Sequence, residues 1–138
     1  MNNTSSHPHV VSVSAEERLR MGAQAFEIFM NIVNQWHISE DEARALLAFD
    51  ERSSIEDLKR NPPSEWMTED RFLRISYLVG IYKGLHTCHS KELADQWLTL
   101  PNTNEIFNGL TPLAFMIQGG RDAMQMVRRL IDARRNAQ

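Results

Sequence analysis

Residues 39–60, SEDEARALLAFDERSSIEDLKR, decide the fold class of this 138-residue chain. The stretch contains two Ser-x-x-Glu signatures, which begin at Ser39 and Ser53, and a third signature begins upstream at Ser14. In such a capping box, the serine and the glutamate side chains satisfy backbone N–H groups that a helix start leaves without partners. Three boxes in close succession therefore predict three successive helices.

On both sides of this stretch, apolar spacing continues the helical pattern over most of the chain. Pro62 and Pro63 end the third predicted helix, and Gly119 with Gly120 ends the helix that begins after Thr111. No segment has the alternation of a convincing β-strand, so we expect an all-α protein. The predicted helices cover residues 15–37, 40–49, 54–60, a segment that opens at 68, residues 91–98, a segment that opens at 112, and residues 121–135.

Turn-forming residues between Leu98 and Gly109 predict a boundary between two domains. We expect a flexible arm at residues 1–13, a helical domain at residues 14–98 and a small helical domain at residues 99–138. Phe107 lies within the turn-rich segment, where it either folds back onto its own bundle or anchors an interface.

The composition indicates a globular protein rather than a disordered or disulfide-stapled one, with 42% apolar and 24% charged residues. The single cysteine, Cys88, cannot form an internal bridge and suits a reducing compartment. The N-terminal residues lack the pattern of a signal peptide. The longest charge-free stretch, residues 106–120, is shorter than the ~20 residues of a membrane helix. We therefore expect a cytoplasmic protein.

Charge is unevenly distributed along the chain. Residues 121–138 carry five arginines and two aspartates, whereas the preceding residues are acidic on balance. A basic end on an acidic body favours a partner of its own. The alternative is that the arginines complement the dipole of a terminal helix, an effect of about 0.3–1 kcal/mol.

The second and third predicted helices have the lengths and order of a helix-turn-helix. In that interpretation the third helix enters the major groove of DNA, and acidic neighbours such as Asp57 oppose strong binding. A helical bundle without DNA contacts remains equally open. The candidate DNA-binding residues are Ser53, Ser54, Lys59 and Arg60.

The HTCH sequence places His86, Cys88 and His89 close together and raises the question of a metal site. Zinc requires three or four ligands in a tetrahedral array, and no second Cys/His pair occurs in the chain. Phosphate-binding loops, nucleophile elbows and zinc-protease helices are also absent from the sequence. We therefore expect no metal, no cofactor and no enzymatic activity.

Two segments resemble a known family. The run W-L-x-x-P-N at residues 97–102 and the run F-x-G-x-T-P-L at residues 107–113 resemble the toxin-binding domain of Xre/MbcA/ParS antitoxins. The Gly119-Gly120 stop and the V-x-x-L spacing of the last helix belong to the same pattern. The first half resembles the Xre-like helix-turn-helix domain that precedes it in that family, so the resemblance covers nearly all of the chain after the arm.

The resemblance implies an antitoxin of a type II toxin–antitoxin pair. The partner would be a RES-domain toxin that depletes cellular NAD by cleaving its nicotinamide bond, and the antitoxin would block the toxin's cleft sterically with its C-terminal helix and tail. It also implies autorepression at operator DNA and a homodimer within a larger hetero-oligomer. Many family members end soon after a helix terminus that contains glycine, whereas this chain ends RRNAQ without a final glycine. The implied toxin-binding residues are Phe107, Arg128, Leu130, Ile131, Arg134, Arg135, Asn136, Ala137 and Gln138.

Three other functions compete with this expectation. The first is a helix-turn-helix transcriptional regulator without a toxin partner, whose C-terminal domain serves oligomerisation. The second is a family member that binds an unrelated protein. The third, a small metal-dependent enzyme built on His86, Cys88 and His89, would require stoichiometric metal in the purified protein.

Overall fold

The computed structural model describes residues 15–50 and 52–136, apart from the side chains of residues 15, 18 and 19. The described residues are all-α: they form six α-helices and three 3-10 turns, and no β-strand. The 3-10 turns are Pro63–Glu65, Trp97–Thr99 and Glu105–Phe107. The α-helices are α1 (Ala15–Trp36), α2 (Glu40–Leu46), α3 (Ile55–Arg60), α4 (Glu69–Cys88), α5 (Lys91–Gln96) and α6 (Pro112–Asn136).

The predicted capping box at Ser39 is confirmed. The Ser39 hydroxyl accepts from the Glu42 backbone N–H at 3.1 Å, and the Glu42 carboxylate accepts from the Ser39 N–H at 2.9 Å. The predicted box at Ser53 is wrong by one residue, because Ser54 caps α3 and accepts from the Asp57 N–H at 3.0 Å. The box predicted at Ser14 lies outside the described residues.

Helix α2 ends at Leu46, three residues before its predicted end. Ala48 takes a left-handed conformation, with φ of 60°. Two arginines of α4 replace the hydrogen bonds that a longer helix would make. Arg71 donates to the Leu47 and Ala48 carbonyls at 2.9 and 3.2 Å, and Arg74 donates to the Leu46 carbonyl at 3.1 Å.

Helix α4 is the central element of the fold, and it packs against α1, α5 and α6. Sequence spacing predicts a buried face of Phe72, Ile75, Val79 and Tyr82, but only Ile75 of these four is fully buried. Neighbours cover the helix from several sides, so no single stripe marks its core face. The fully buried α4 side chains are Ile75, Leu78, Ile81 and Leu85.

Helix α6 has a sharp break at Gly120, whose φ of 69° and ψ of −148° are not helical. This confirms the predicted stop, because such a backbone conformation is nearly exclusive to glycine. Thr111 caps the start of α6, and its hydroxyl accepts from the Ala114 N–H at 3.1 Å. Beyond the break, α6 runs alongside α4 in the same direction, from the Asp70–Arg121 ion pair to the contact of Gly84 with Ile131.

A single hydrophobic cluster contains residues from both sides of the predicted domain boundary. Phe29 and Leu46 lie in this cluster together with Phe107 and Met124. The division into residues 14–98 and 99–138 stays a prediction, and the predicted arm at residues 1–13 lies outside the described residues. No helix among the described residues is both long enough and apolar enough to cross a membrane.

Candidate protein-binding site

The turn-rich segment between α5 and α6 forms a folded support for the start of α6. Phe107 is the centre of this support, because its ring lies 5.9 Å from the ring of Trp97 and 5.3 Å from the ring of Phe115. Asn102 and Asn104 turn the backbone through side-chain acceptors, at 2.9 Å to the Asn104 N–H and 3.1 Å to the Ile106 N–H. The segment is thus an ordered unit that fixes where α6 begins.

Two of the predicted toxin-binding residues face inward. Phe107 is 0% exposed and Ile131 is 1% exposed, and both belong to the hydrophobic core. Neither side chain reaches the surface in this fold, and both support α6 from within. Their role as toxin contacts stays a prediction. Phe107 has adopted the first of its two predicted arrangements and packs onto its own bundle. Leu130 is half-buried against the same core.

The other predicted contact residues leave polar groups at the surface of α6. Arg134 is half-buried, and its guanidinium carbon lies 5.7 Å from the centre of the Trp97 ring. Arg135 and Asn136 are exposed. Arg128 is half-buried between α6 and α4, and its side chain is 35% exposed. Ala137 and Gln138 lie outside the described residues.

Three arginines of α6 are seven residues apart, namely Arg121, Arg128 and Arg135. Because seven residues make nearly two helical turns, the three side chains lie along one flank of the helix. Arg121 pairs with Asp70 at 3.3 Å, and Arg128 pairs with Asp132 at 3.2 Å. The flank therefore combines a positive excess with two anchored ion pairs.

The predicted DNA-binding residues lie on and before α3, a helix of six residues. The Ser54 hydroxyl is occupied as the helix cap, and the Ser53 carbonyl accepts from Arg44 at 2.8 Å. Lys59 and Arg60 are exposed, but each has an acidic partner one turn away: Glu56 lies 3.8 Å from Lys59 and Asp57 lies 3.3 Å from Arg60. This arrangement leaves little net positive charge for a phosphate backbone. DNA contact by these residues stays a prediction.

Arg71 holds the connection between α2 and α3. Besides the Leu47 and Ala48 carbonyls, it donates to the Trp66 carbonyl at 2.8 Å, and its guanidinium lies 3.7 Å from the Phe49 ring centre. Burial lowers the pKa of Arg71 from its ordinary value. Sequence reasoning did not single out Arg71, because its partners are backbone carbonyls that leave no pattern in the sequence.

His86 forms a hydrogen-bonded network that joins α4 to α5. Its Nδ1 lies 2.9 Å from the Tyr82 carbonyl and its Nε2 lies 2.9 Å from Asp95, which also accepts from Lys91 at 2.7 Å. The hydrogen bond from Lys91, with that of His86, lowers the pKa of Asp95, and the same bond to Asp95 raises the pKa of Lys91. Both ring nitrogens of His86 therefore lie against oxygen acceptors.

The residues of the HTCH sequence do not converge on one point. His86 is hydrogen-bonded to Asp95, and Cys88 is half-buried. The Nε2 atom of His89 is buried and has no hydrogen-bond partner among the described residues. Within residues 15–50 and 52–136, no group of three or more His, Cys, Asp or Glu side chains is arranged to hold a metal ion.

Comparison with known proteins gives one informative relative. The uncharacterized protein y4oB of Sinorhizobium fredii (strain NBRC 101917 / NGR234) is 31% identical over 110 residues, which cover 79% of this chain and 82% of that protein. The chain belongs to the y4oB family. No family model matches the sequence, and no solved structure matches it. The name of y4oB states no activity, substrate or partner.

Proposed function

We propose that this protein is the antitoxin of a type II toxin–antitoxin pair and that it neutralises a RES-domain, NAD-degrading toxin. The exposed part of α6 and the tail that follows it bind the toxin and deny NAD access to its cleft. The antitoxin itself performs no chemistry and needs no cofactor in this proposal. It acts in the cytoplasm as a homodimer within a larger toxin–antitoxin assembly.

One observation supports this proposal more than any other. The two segments that resemble the toxin-binding domain, residues 97–102 and 107–113, pack together through Trp97 and Phe107. That unit leads directly into α6, a helix with a basic excess in a chain that is acidic on balance. The resembling residues thus have a shared structural task, which is to present a basic helix and its end to a partner.

The burial of each side chain indicates which residues would contact the toxin. Phe107 and Ile131 serve as internal support, whereas Arg128, Arg134, Arg135 and Asn136 offer polar groups at the surface. Ala137 and Gln138 complete the proposed tail. Arginine suits such a role because its guanidinium donates several hydrogen bonds in a fixed plane.

Autorepression through α3 is the second part of the proposal. Ser53, Ser54, Lys59 and Arg60 would contact the operator, against the opposing charge of Glu56 and Asp57. A transcriptional regulator without a toxin remains the alternative function, and the helix order of α2 and α3 favours it equally. A gene for a RES-domain protein next to the gene for this chain separates the two, since only the antitoxin requires it.

The test of the proposal is co-expression with that RES-domain protein. We expect one stable complex in size-exclusion chromatography and normal cellular NAD in cells that express both proteins. Cells that express the RES-domain protein with an unrelated helical protein provide the control and should lose NAD. Absence of both complex and protection would contradict the antitoxin function and favour the regulator.

A further inference from the structure

Arg128 of α6 places its guanidinium group directly against the backbone of α4 at Gly80. A β-carbon at position 80 would overlap the Nη1, Cζ and Nε atoms of Arg128. The guanidinium can lie against the backbone here only because residue 80 has no side chain. We call Gly80 and the guanidinium that it receives the arginine seat.

The arginine seat also has a carboxylate that orients it. Both oxygens of Asp132, one turn further along α6, lie near the Nε atom of Arg128, at 3.2 and 3.4 Å. The two Nη groups of Arg128 donate to no acceptor within the described part of the chain, and the side chain is 35% exposed. One face of the guanidinium is thus fixed while its outer donors are unpaired.

The surroundings of the arginine seat are positive on balance. Arg121 and Arg135 lie on the same flank of α6, and Lys83 is exposed on α4 one turn beyond Gly80. The opposing carboxylates are Asp70, Asp122 and Asp132. Asp70 is held by Arg74 at 2.7 Å as well as by Arg121. An anion that approaches the seat therefore meets more positive than negative charge.

We infer that Arg128 anchors a carboxylate side chain on an acidic surface of the partner protein, with Gly80 and Asp132 as its positioning residues. The inference rests on the proposed function and names the chemistry of its contact. A planar carboxylate matches the outer donors of a fixed guanidinium in a bidentate geometry. A single carboxylate needs only this one guanidinium, whereas a nucleic-acid backbone needs several free cations along the surface, and the neighbouring Arg121 is already paired with Asp70.

The test measures the affinity of the purified RES-domain protein for G80A, R128M and the double variant G80A/R128M. The β-carbon of G80A must displace the guanidinium. Because the guanidinium is the flexible end of a side chain, we expect G80A to fold normally. Its thermal unfolding temperature should equal or exceed that of the unaltered protein, since alanine is the better helix former. R128M keeps an apolar stem but removes the donors. R129A, which removes the adjacent exposed arginine, is the matched control.

We expect R128M to bind about ten- to a hundredfold more weakly, as for the loss of a charged hydrogen-bonded contact, and G80A to bind several-fold more weakly. The double variant should bind no more weakly than R128M, because both changes remove the same contact. Wild-type affinity of G80A and R128M overturns the inference alone. No binding by the unaltered chain overturns the proposed function together with the inference. Weakened binding to promoter DNA, with partner affinity intact, assigns a phosphate to the seat and also overturns the inference.

Discussion

At the scale of single residues, Gly80 and Gly84 have opposite tasks although they lie one turn apart on α4. Gly80 receives the end of Arg128, which can move outward. Gly84 receives the Cγ2 methyl of Ile131, which is 1% exposed and has no free space to move into. The two glycines allow α4 and α6 to approach closely at one polar and one apolar contact.

This difference predicts opposite effects of alanine on stability. G84A should lower the free energy of unfolding by about 1–3 kcal/mol, because its β-carbon overpacks a rigid core contact. G80A should leave it unchanged or raise it by up to about 1 kcal/mol, since alanine is the better helix former. Urea unfolding of the two variants measures the difference. Equal stability of G84A and the unaltered protein would contradict the close contact.

At the scale of helices, the start of α3 is decided by one hydroxyl. Ser53 and Ser54 are adjacent and chemically identical, but only Ser54 caps the helix. S54A should therefore cost about 1 kcal/mol of unfolding free energy, as is usual for the loss of an N-cap. S53A is its matched control and should change stability by less than about 0.5 kcal/mol. A larger loss of stability in S53A than in S54A, measured by thermal or urea unfolding, would instead support the capping box that the sequence predicts at Ser53.

Local signals predicted helix existence well and helix ends less well. Thr111, Gly119 and Gly120 carry their own backbone preferences, so the start and the break of α6 could be read from sequence. The end of α2 could not, since Arg71 and Arg74 terminate it from a helix more than twenty positions later. No local signal marks such a distant partner.

The candidate site was predicted less completely than the helices. The resemblance implied Phe107 and Ile131 as toxin contacts, whereas the structure buries both, Phe107 in the turn before α6 and Ile131 on α6 itself. Their burial depends on packing against Trp97 and Gly84, which come together only in the folded chain. The spacing of Gly80 and Gly84 was the one available signal of a close helix contact.

At the scale of the whole molecule, the network of Asp95, Lys91 and His86 makes stability depend on pH. Because Lys91 and His86 lower the pKa of folded Asp95 below its unfolded value, the stabilisation is complete above about pH 4 and is lost as pH falls through the folded pKa. The raised pKa of Lys91 affects stability at high pH. The stabilisation from protonated Lys91 is lost only well above pH 10, as pH rises through its folded pKa.

D95N provides the test of this network. Its unfolding free energy should be lower than that of the unaltered protein at pH 7, and the difference should shrink as pH falls below about 4, where first the unfolded and then the folded aspartate becomes protonated. D122N, at an exposed position with no ion pair in the described structure, is the control. A difference that stays constant across this pH range would contradict the role of the Asp95 charge.

We expect the end of α6 to block the toxin, and deletion of residues 135–138 tests this most directly. This deletion keeps Arg134 over Trp97, so the helical core remains intact. The measurement is the rate of NAD consumption by the purified RES-domain protein as each form of the chain is added in increasing amounts. We predict that the unaltered chain stops NAD consumption near equimolar addition, and that the shortened chain, with an unchanged circular dichroism spectrum, protects at least tenfold less well. Full protection by the shortened chain would contradict the claim.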